Sequence, residues 1–144
     1  MLALARNRVH RFGLRLDGID FLHADALSWH PPERAFDLIV THFFLDCFQP
    51  EQLRSLIERL AVAAMPTATW LVADFQIPHC GLAQYRARFI HRIMYAFFRC
   101  TTALPACTLT VPDPVLEANN FALSERHVSE WGLLHTDRWA RGAK

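Results

Sequence analysis

Glycine is scarce in this 144-residue chain: its five, Gly13, Gly18, Gly81, Gly132 and Gly142, are scattered and no Gly-x-Gly pair occurs. Cysteine is scarcer still. Cys47, Cys80, Cys100 and Cys107 show no Cys-x-x-Cys spacing, which speaks against a zinc site or a disulfide framework and for the reduced thiols of a cytoplasmic protein. His79 and Cys80 are adjacent rather than spaced for chelation, and the other histidines show no ligand spacing, so no metal is expected. An excess of one charge is lacking too, with 15 Lys and Arg against 14 Asp and Glu. A dedicated nucleic-acid binder carries a basic excess and a basic stripe, so nucleic acid is not an expected partner. The longest charge-free apolar stretch, residues 60–73, is interrupted by Pro66, Thr67 and Thr69. It is too short to span a bilayer, and no stable membrane insertion is expected. The opening MLALARNRVHR has no apolar segment leading to a small-residue cleavage site, so no signal peptide is read there.

What is present is apolar and well mixed. With 52% hydrophobic and 20% charged residues, the chain is far from the composition of a disordered segment, and its length suits one domain, residues 1–144. Prolines at positions 31, 32, 50, 66, 78, 105, 112 and 114 punctuate it. Residues 1–10 are rich in Ala, Leu and Arg, with Leu2, Ala5 and Val9 on one helical face. Residues 19–23 form a short apolar run that reads as a strand. Residues 35–44 are almost continuously apolar, as in a parallel strand covered on both faces. Pro50 and Glu51 then suit the first turn of a helix whose buried stripe is Leu53, Leu56, Ile57 and Leu60. Residues 68–75 read as a second buried strand ending near Asp74.

Strand, helix, strand in that order implies a βαβ unit and an α/β fold with a parallel sheet under helices. A longer helix is predicted over 82–99. At 100° per residue, Leu82, Tyr85, Phe89, Ile93, Ala96 and Phe97 share its apolar face, which core packing would bury by default and which could alternatively meet a lipid-like substrate or a membrane surface, while Arg88, His91, Arg92 and Arg99 are placed on the opposite side. A short helical turn over 115–119 precedes strand-like runs at 121–128 and 131–139, read as a C-terminal antiparallel hairpin around Ser129 and Glu130.

Ligands in open α/β sheets bind outside the carboxyl ends of the strands. Three such ends carry an acid: Asp25, Asp46 and Asp74. Three on one rim suggest a polar cleft; singly, each is as readily a cap or a loop residue.

The order of these segments resembles the class I S-adenosylmethionine-dependent methyltransferases, from their second helix to their C-terminus. The resemblance is carried by Met1-Leu2-Ala3-Leu4-Ala5-Arg6, by His23-Ala24-Asp25-Ala26-Leu27 after a third strand, and by Phe36-Asp37-Leu38-Ile39-Val40 with the loop Thr41 to Asp46. It continues through the helix at 53–60, the strand Trp70-Leu71-Val72-Ala73-Asp74-Phe75 and the closing hairpin. It implies a partial Rossmann-like methyltransferase sheet, S-adenosylmethionine as cofactor and a small-molecule acceptor. The family's first strand with its glycine-rich turn, and the acidic end of its second strand, have no counterpart. The chain is therefore expected to start inside the family's domain, N-terminally truncated. In the family's strand order, 3-2-1-4-5-7-6, this leaves a gap between the third and fourth strands, unpaired backbone on both sides and poor stability for the chain alone.

By the resemblance, Asp25 accepts from the adenine amino group while Ala26 and Leu27 line the ring; the plainer alternative is a turn capped by Asp25 at Ser28 and Trp29. Met1 lies against the adenine face or is a frayed terminus. Thr41, His42 and Phe43 flank the methionine part of the cofactor, through backbone as much as side chain, with Phe43 alternatively in the core. His42 is the candidate general base, with a hydrogen-bonded bystander as its alternative. Asp46 orients this loop or caps the following helix. Tyr85 and Arg86 are the acceptor-side candidates, Arg86 alternatively snorkelling to solvent. Two functions follow: methyl transfer to a small molecule, weak or absent in the truncated chain, or a non-catalytic fragment pairing with another chain through exposed sheet edges.

Overall fold

The computed structural model describes residues 2–13, 18–78, 81–102 and 109–142. Its elements are α1 (Leu2–Arg11), β1 (Phe36–His42), α2 (Pro50–Ala63), β2 (Ala64–Phe75), α3 (Gly81–Thr102), α4 (Asp113–Ala118), β3 (Phe121–Ser129) and β4 (Leu134–Arg141). The strands form one mixed sheet in the order β1-β2-β4-β3. β1 and β2 are parallel, while β4 runs antiparallel to both β2 and β3. This is the 4-5-7-6 half of the expected sheet, and the terminal hairpin is present, although Trp131 lies in its turn and the second strand begins at Leu134 rather than at 131.

The core follows from the βαβ unit. Proline at the first turn of α2 loses no helical hydrogen bond, and Gln52 reaches back to accept from the Gln49 N–H at 3.1 Å. Leu53, Leu56, Ile57 and Leu60 recur at helical spacing and are buried against Ile39, Ala68, Trp70 and Val72 of the sheet. Trp70 and Trp139 face one another across the β2–β4 ladder, both fully buried. The Phe121 ring meets Trp70 edge-on, with centroids 5.4 Å apart, a geometry the ring quadrupoles favour. α2 runs into β2 without a loop, and Pro66 sits on the exposed start of that strand where the β1 register shifts between Phe36 and Leu38. A residue without an N–H is tolerated at such an irregularity. The free carbonyls at the end of α2 are met from afar: Arg141 Nη1 donates to the oxygens of Ala61 and Ala64 at 2.6 and 2.7 Å.

Three expectations change. Residues 19–23 are not a strand. The partners that would pair them are lacking among the described residues, and a strand without a partner leaves its backbone groups to water. β1 is covered on one face only: Ile39 and Thr41 are buried, while Leu38 and Val40 are 49% and 60% exposed. No described strand pairs with its outer edge. The third change concerns α3, which is turned over. Ala87 and His91 face the protein, and the predicted apolar face looks out, with Leu82, Tyr85, Phe89 and Ile93 all more than half exposed. Arg88 and Arg92 are exposed along its flank. Helical periodicity fixes which residues share a face but not which face meets the sheet.

Candidate active site

The carboxyl ends of β1 and β2 form the rim. Thr41 ends the buried side of β1; its hydroxyl accepts from the Trp70 indole N–H at 3.1 Å, so its side chain belongs to the core and its backbone to the rim. His42 is exposed, its ring 4.5 Å from that of Phe43. Phe43 turns the chain with a left-handed φ of 48°, rare for a residue with a Cβ. Its N–H donates to the Ala73 oxygen at 2.8 Å and its ring lies 5.0 Å from that of Phe75. This aromatic pair, 40% exposed at Phe43, holds the loop rather than the core.

Below the loop, two carboxylates meet in the interior. Asp46 and Asp74 are 6% and 3% exposed, and the Asp46 N–H donates to Asp74 Oδ2 at 3.2 Å. Burial pushes Asp74 up to about 6, with the neighbouring Asp46 charge adding and the N–H groups of Phe75 and Asp46 opposing. Asp46 is raised as well, again by burial. The Cys47 thiol donates to Asp46 Oδ1 at 3.5 Å; burial and then the Asp46 charge push it up to about 12, so this is no nucleophile. His91, buried on α3 with its ring 5.5 Å from Phe75, is shifted down by burial. Asp46 thus anchors the loop after β1 and does not cap α2, whose N-cap is Gln49.

Asp25 organises its own turn. Its Oδ1 accepts from the Leu27 N–H at 3.0 Å and its Oδ2 from the Ser28 hydroxyl at 3.1 Å, while its carbonyl accepts from the N–H groups of Ser28 and Trp29. Arg59 of α2 fixes this turn by donating to the Ala26 oxygen at 3.0 Å. The three acids therefore do not line one polar cleft. Asp25 is exposed in a turn, and Asp46 and Asp74 face each other. The cleft beside β1, about 500 Å³, gathers Thr41 and His42 with Trp29, Phe36, Val40 and Phe44 and is walled mainly by apolar side chains. Tyr85 and Arg86 are not among its lining residues. Arg86 Nη1 donates to the Glu130 oxygen at 3.3 Å, with its guanidinium 5.3 Å over the Trp131 ring. Met1 lies outside the described residues.

The sequence reading missed a second buried network. Asp137, 1% exposed, takes Arg126 Nε and Nη2 at 2.8 and 2.6 Å and faces His135 Nδ1 at 2.8 Å. Arg126 Nη2 also reaches Asp113 of α4 at 2.8 Å. Burial works to raise Asp137, but hydrogen bonds from Arg126 and His135 carry it down to about 2. The signal was period two: His135 and Asp137 precede Trp139 on one face of β4, and a Trp on that face marks it as buried. Among the described residues no group of three or more His, Cys, Asp or Glu is placed to hold a metal.

No protein-family model matches the sequence, and no curated protein matches it. Solved structures do. The 1,6-didemethyltoxoflavin-N1-methyltransferase of Burkholderia thailandensis, solved with 1,6-didemethyltoxoflavin and S-adenosylhomocysteine bound, superimposes with a TM-score of 0.62 at 15% identity. The match covers 94% of this chain and 55% of that one. The S-adenosylmethionine-dependent methyltransferase SibL gives 0.70 at 18% identity over 97% of this chain and 40% of that one. The mitomycin 7-O-methyltransferase MmcR gives 0.66 at 16% identity over 96% and 38%. The chain thus spans about two-fifths to just over half the length of these neighbours. With the sheet order and the rim described above, these likenesses establish that the chain has the fold of the class I S-adenosylmethionine-dependent methyltransferases.

Proposed function

We propose that this chain supplies the β1–β2 rim of a site for S-adenosylmethionine-dependent methyl transfer to a small-molecule acceptor. The observation that carries this reading is the loop after β1, held in a left-handed turn at Phe43 and anchored from beneath by Asp74, next to a cleft that runs along β1 and reaches Thr41 and His42 at its carboxyl end. The residues present fit one side of the cofactor. Asp25 has two oxygens with lone pairs beyond those its turn uses, Ala26 and Leu27 continue that turn, and the backbone of Thr41 and His42 lies at the rim; Met1 is assigned to the adenine face. A glycine-rich turn for the methionine part has no counterpart in the sequence, so binding by this chain alone is expected to be weak. S-adenosylmethionine would supply a methyl group already activated by its sulfonium charge. The chain's own work is alignment and exclusion of water. Phe43, Tyr85 and Arg86 are assigned to the acceptor side, and exposed His42 is the group able to accept a proton from an acceptor that must lose one. The setting is taken as cytoplasmic; no helix among the described residues is long and apolar enough to cross a membrane.

The bare edge of β1 favours a second reading. Leu38 and Val40 are exposed on a strand whose inner edge pairs with β2 and whose outer edge pairs with no described strand, a template for strand addition from another chain. Calorimetric titration with S-adenosylhomocysteine separates the two. Saturable binding that Asp25→Ala weakens about tenfold, the worth of one good hydrogen bond to a charged group, supports the methyltransferase site. No heat of binding, together with a second chain recovered along β1, supports the fragment.

A further inference from the structure

We propose that the outward face of α3, together with Trp131, docks this protein onto an anionic membrane surface. The inference does not rest on the methyl-transfer reading, but it competes with it for Tyr85 and Arg86, which would lie at the membrane interface rather than against an acceptor. Leu82, Tyr85, Phe89 and Ile93 recur at helical spacing and are 88%, 70%, 66% and 55% exposed, a contiguous apolar stripe of the kind that marks an interaction site. The opposite face is already used, with Ala87 and His91 buried against the protein. Trp131, 81% exposed, extends the stripe at its N-terminal end, where Arg86 lies over its ring. Its position is built in. Glu130, Trp131 and Gly132 adopt φ of 51°, 59° and 82° in succession, and a Cβ at position 132 would come within 2.8 Å of Pro78. Two residues with side chains are thus kept in left-handed backbone, and the indole stands out into solvent.

Charge decides what covers the stripe. The 22 residues of α3 include Arg86, Arg88, Arg92 and Arg99 and no acid. Arg88 and Arg92 are exposed on the flank of the stripe, and Glu130 lies in the turn beyond it. A second copy laid on the same face would bring arginines toward arginines. Lipid headgroups of negative charge would instead meet Arg88 and Arg92 favourably while the apolar residues enter the acyl boundary. Tyr and Trp beside them suit the headgroup level. The helix would lie in the interface plane, which needs no spanning length.

Co-sedimentation of the whole chain with phosphatidylcholine vesicles, with and without phosphatidylglycerol, tests this. The chain is expected to pellet with the anionic vesicles, to release as salt rises, and to show its tryptophan emission shifted to the blue on binding. Phe89→Ser with Ile93→Ser removes mainly exposed apolar surface and is expected to cut partitioning about tenfold or more, given the methylenes withdrawn. Arg88→Gln with Arg92→Gln is expected to weaken binding to anionic vesicles and flatten the salt dependence. Equal affinity for neutral and anionic vesicles, no affinity for either, or indifference to both double substitutions overturns the proposal. So does a concentration-dependent dimer that Phe89→Ser with Ile93→Ser dissolves while vesicles leave the chain in the supernatant; that result would give the face to a second copy.

Discussion

Asp74 and Asp137 stand on one face of the sheet, Asp137 opposite Val72 and Asp74 two residues further along β2. Both are buried, at 3% and 1% exposure. One is pushed up to about 6 and the other carried down to about 2. Burial acts on both in the same sense, so the partner decides. Asp137 faces a guanidinium and an imidazole, whereas Asp74 faces another carboxylate and two backbone N–H groups. The Asp137 network ties β3, β4 and the start of α4 into one unit. The Asp74 pair keeps a destabilised carboxylate at the rim, where it holds the loop after β1. Groups perturbed in this way gather at functional sites, which makes the contrast one between a structural charge and a positional one.

The largest consequence is for Asp137→Ala. It leaves a partly buried guanidinium without its main partner and His135 without its acceptor, and is expected to cost about 3 kcal/mol of stability, as breaking one side of a buried pair does. Urea unfolding at pH 7 reads it; a loss below about 1 kcal/mol, the range of surface pairs, would show that Asp113 substitutes fully. Asp74→Asn should behave oppositely. It removes a charge that folding disfavours and keeps an oxygen for the Asp46 N–H, so stability at pH 7 is expected to hold or rise.

The pH dependence separates the two again. Asp137 has its folded pKa near 2, below the ordinary 3.9 or so. Its contribution is complete above about pH 4 and is lost as pH falls from about 4 to about 2. Asp74 has its folded pKa raised to about 6. Between about pH 4 and 6 the folded state holds a proton that the unfolded chain does not, so stability rises as pH falls through that window. Urea midpoints across pH 2–7 should show a larger rise in the parent chain than in Asp74→Asn, where Asp46 alone is still raised by burial. Parallel midpoint curves for the parent chain and Asp74→Asn between about pH 6 and 4 would remove Asp74 from the comparison, since the opposing contribution of His91 is common to both.

How far the sequence carried this is itself uneven. Hydrophobic periodicity and proline positions located β1, α2, β2 and the hairpin, because each depends on burying its own residues. The pattern at 19–23 failed because a strand needs a neighbour as well as a composition. α3 failed for a related reason: its apolar stripe was found, but which side faces inward is settled by the burial of Ala87 and by His91 meeting Phe75, a contact between distant segments. At the site, Asp46 and Asp74 were legible as strand-end acids, but not as a pair, since they lie 28 residues apart. Arg126 and Asp137 went unread because residue type alone does not tell a buried ion pair from a solvated one.

The smallest effect sharpens that last point. Arg138 follows Asp137 in β4 and points to the other face of the sheet, where its Nε lies 3.9 Å from Glu125 Oε2. The two side chains are 58% and 70% exposed. Sequence and cross-strand pairing make this ion pair as plausible as the one formed by Arg126 and Asp137. Water and salt screen it, however, and ordering two long side chains offsets what attraction remains. Arg138→Ala is expected to change stability by about 0.5 kcal/mol or less, within the range of exposed pairs, and the change should shrink further in high salt. The neighbouring Asp137→Ala should be almost unaffected by salt. A comparable loss from the two substitutions would mean that strand pairing, rather than burial, sets the value of a charge in this sheet, and the contrast between Asp74 and Asp137 would then need another cause.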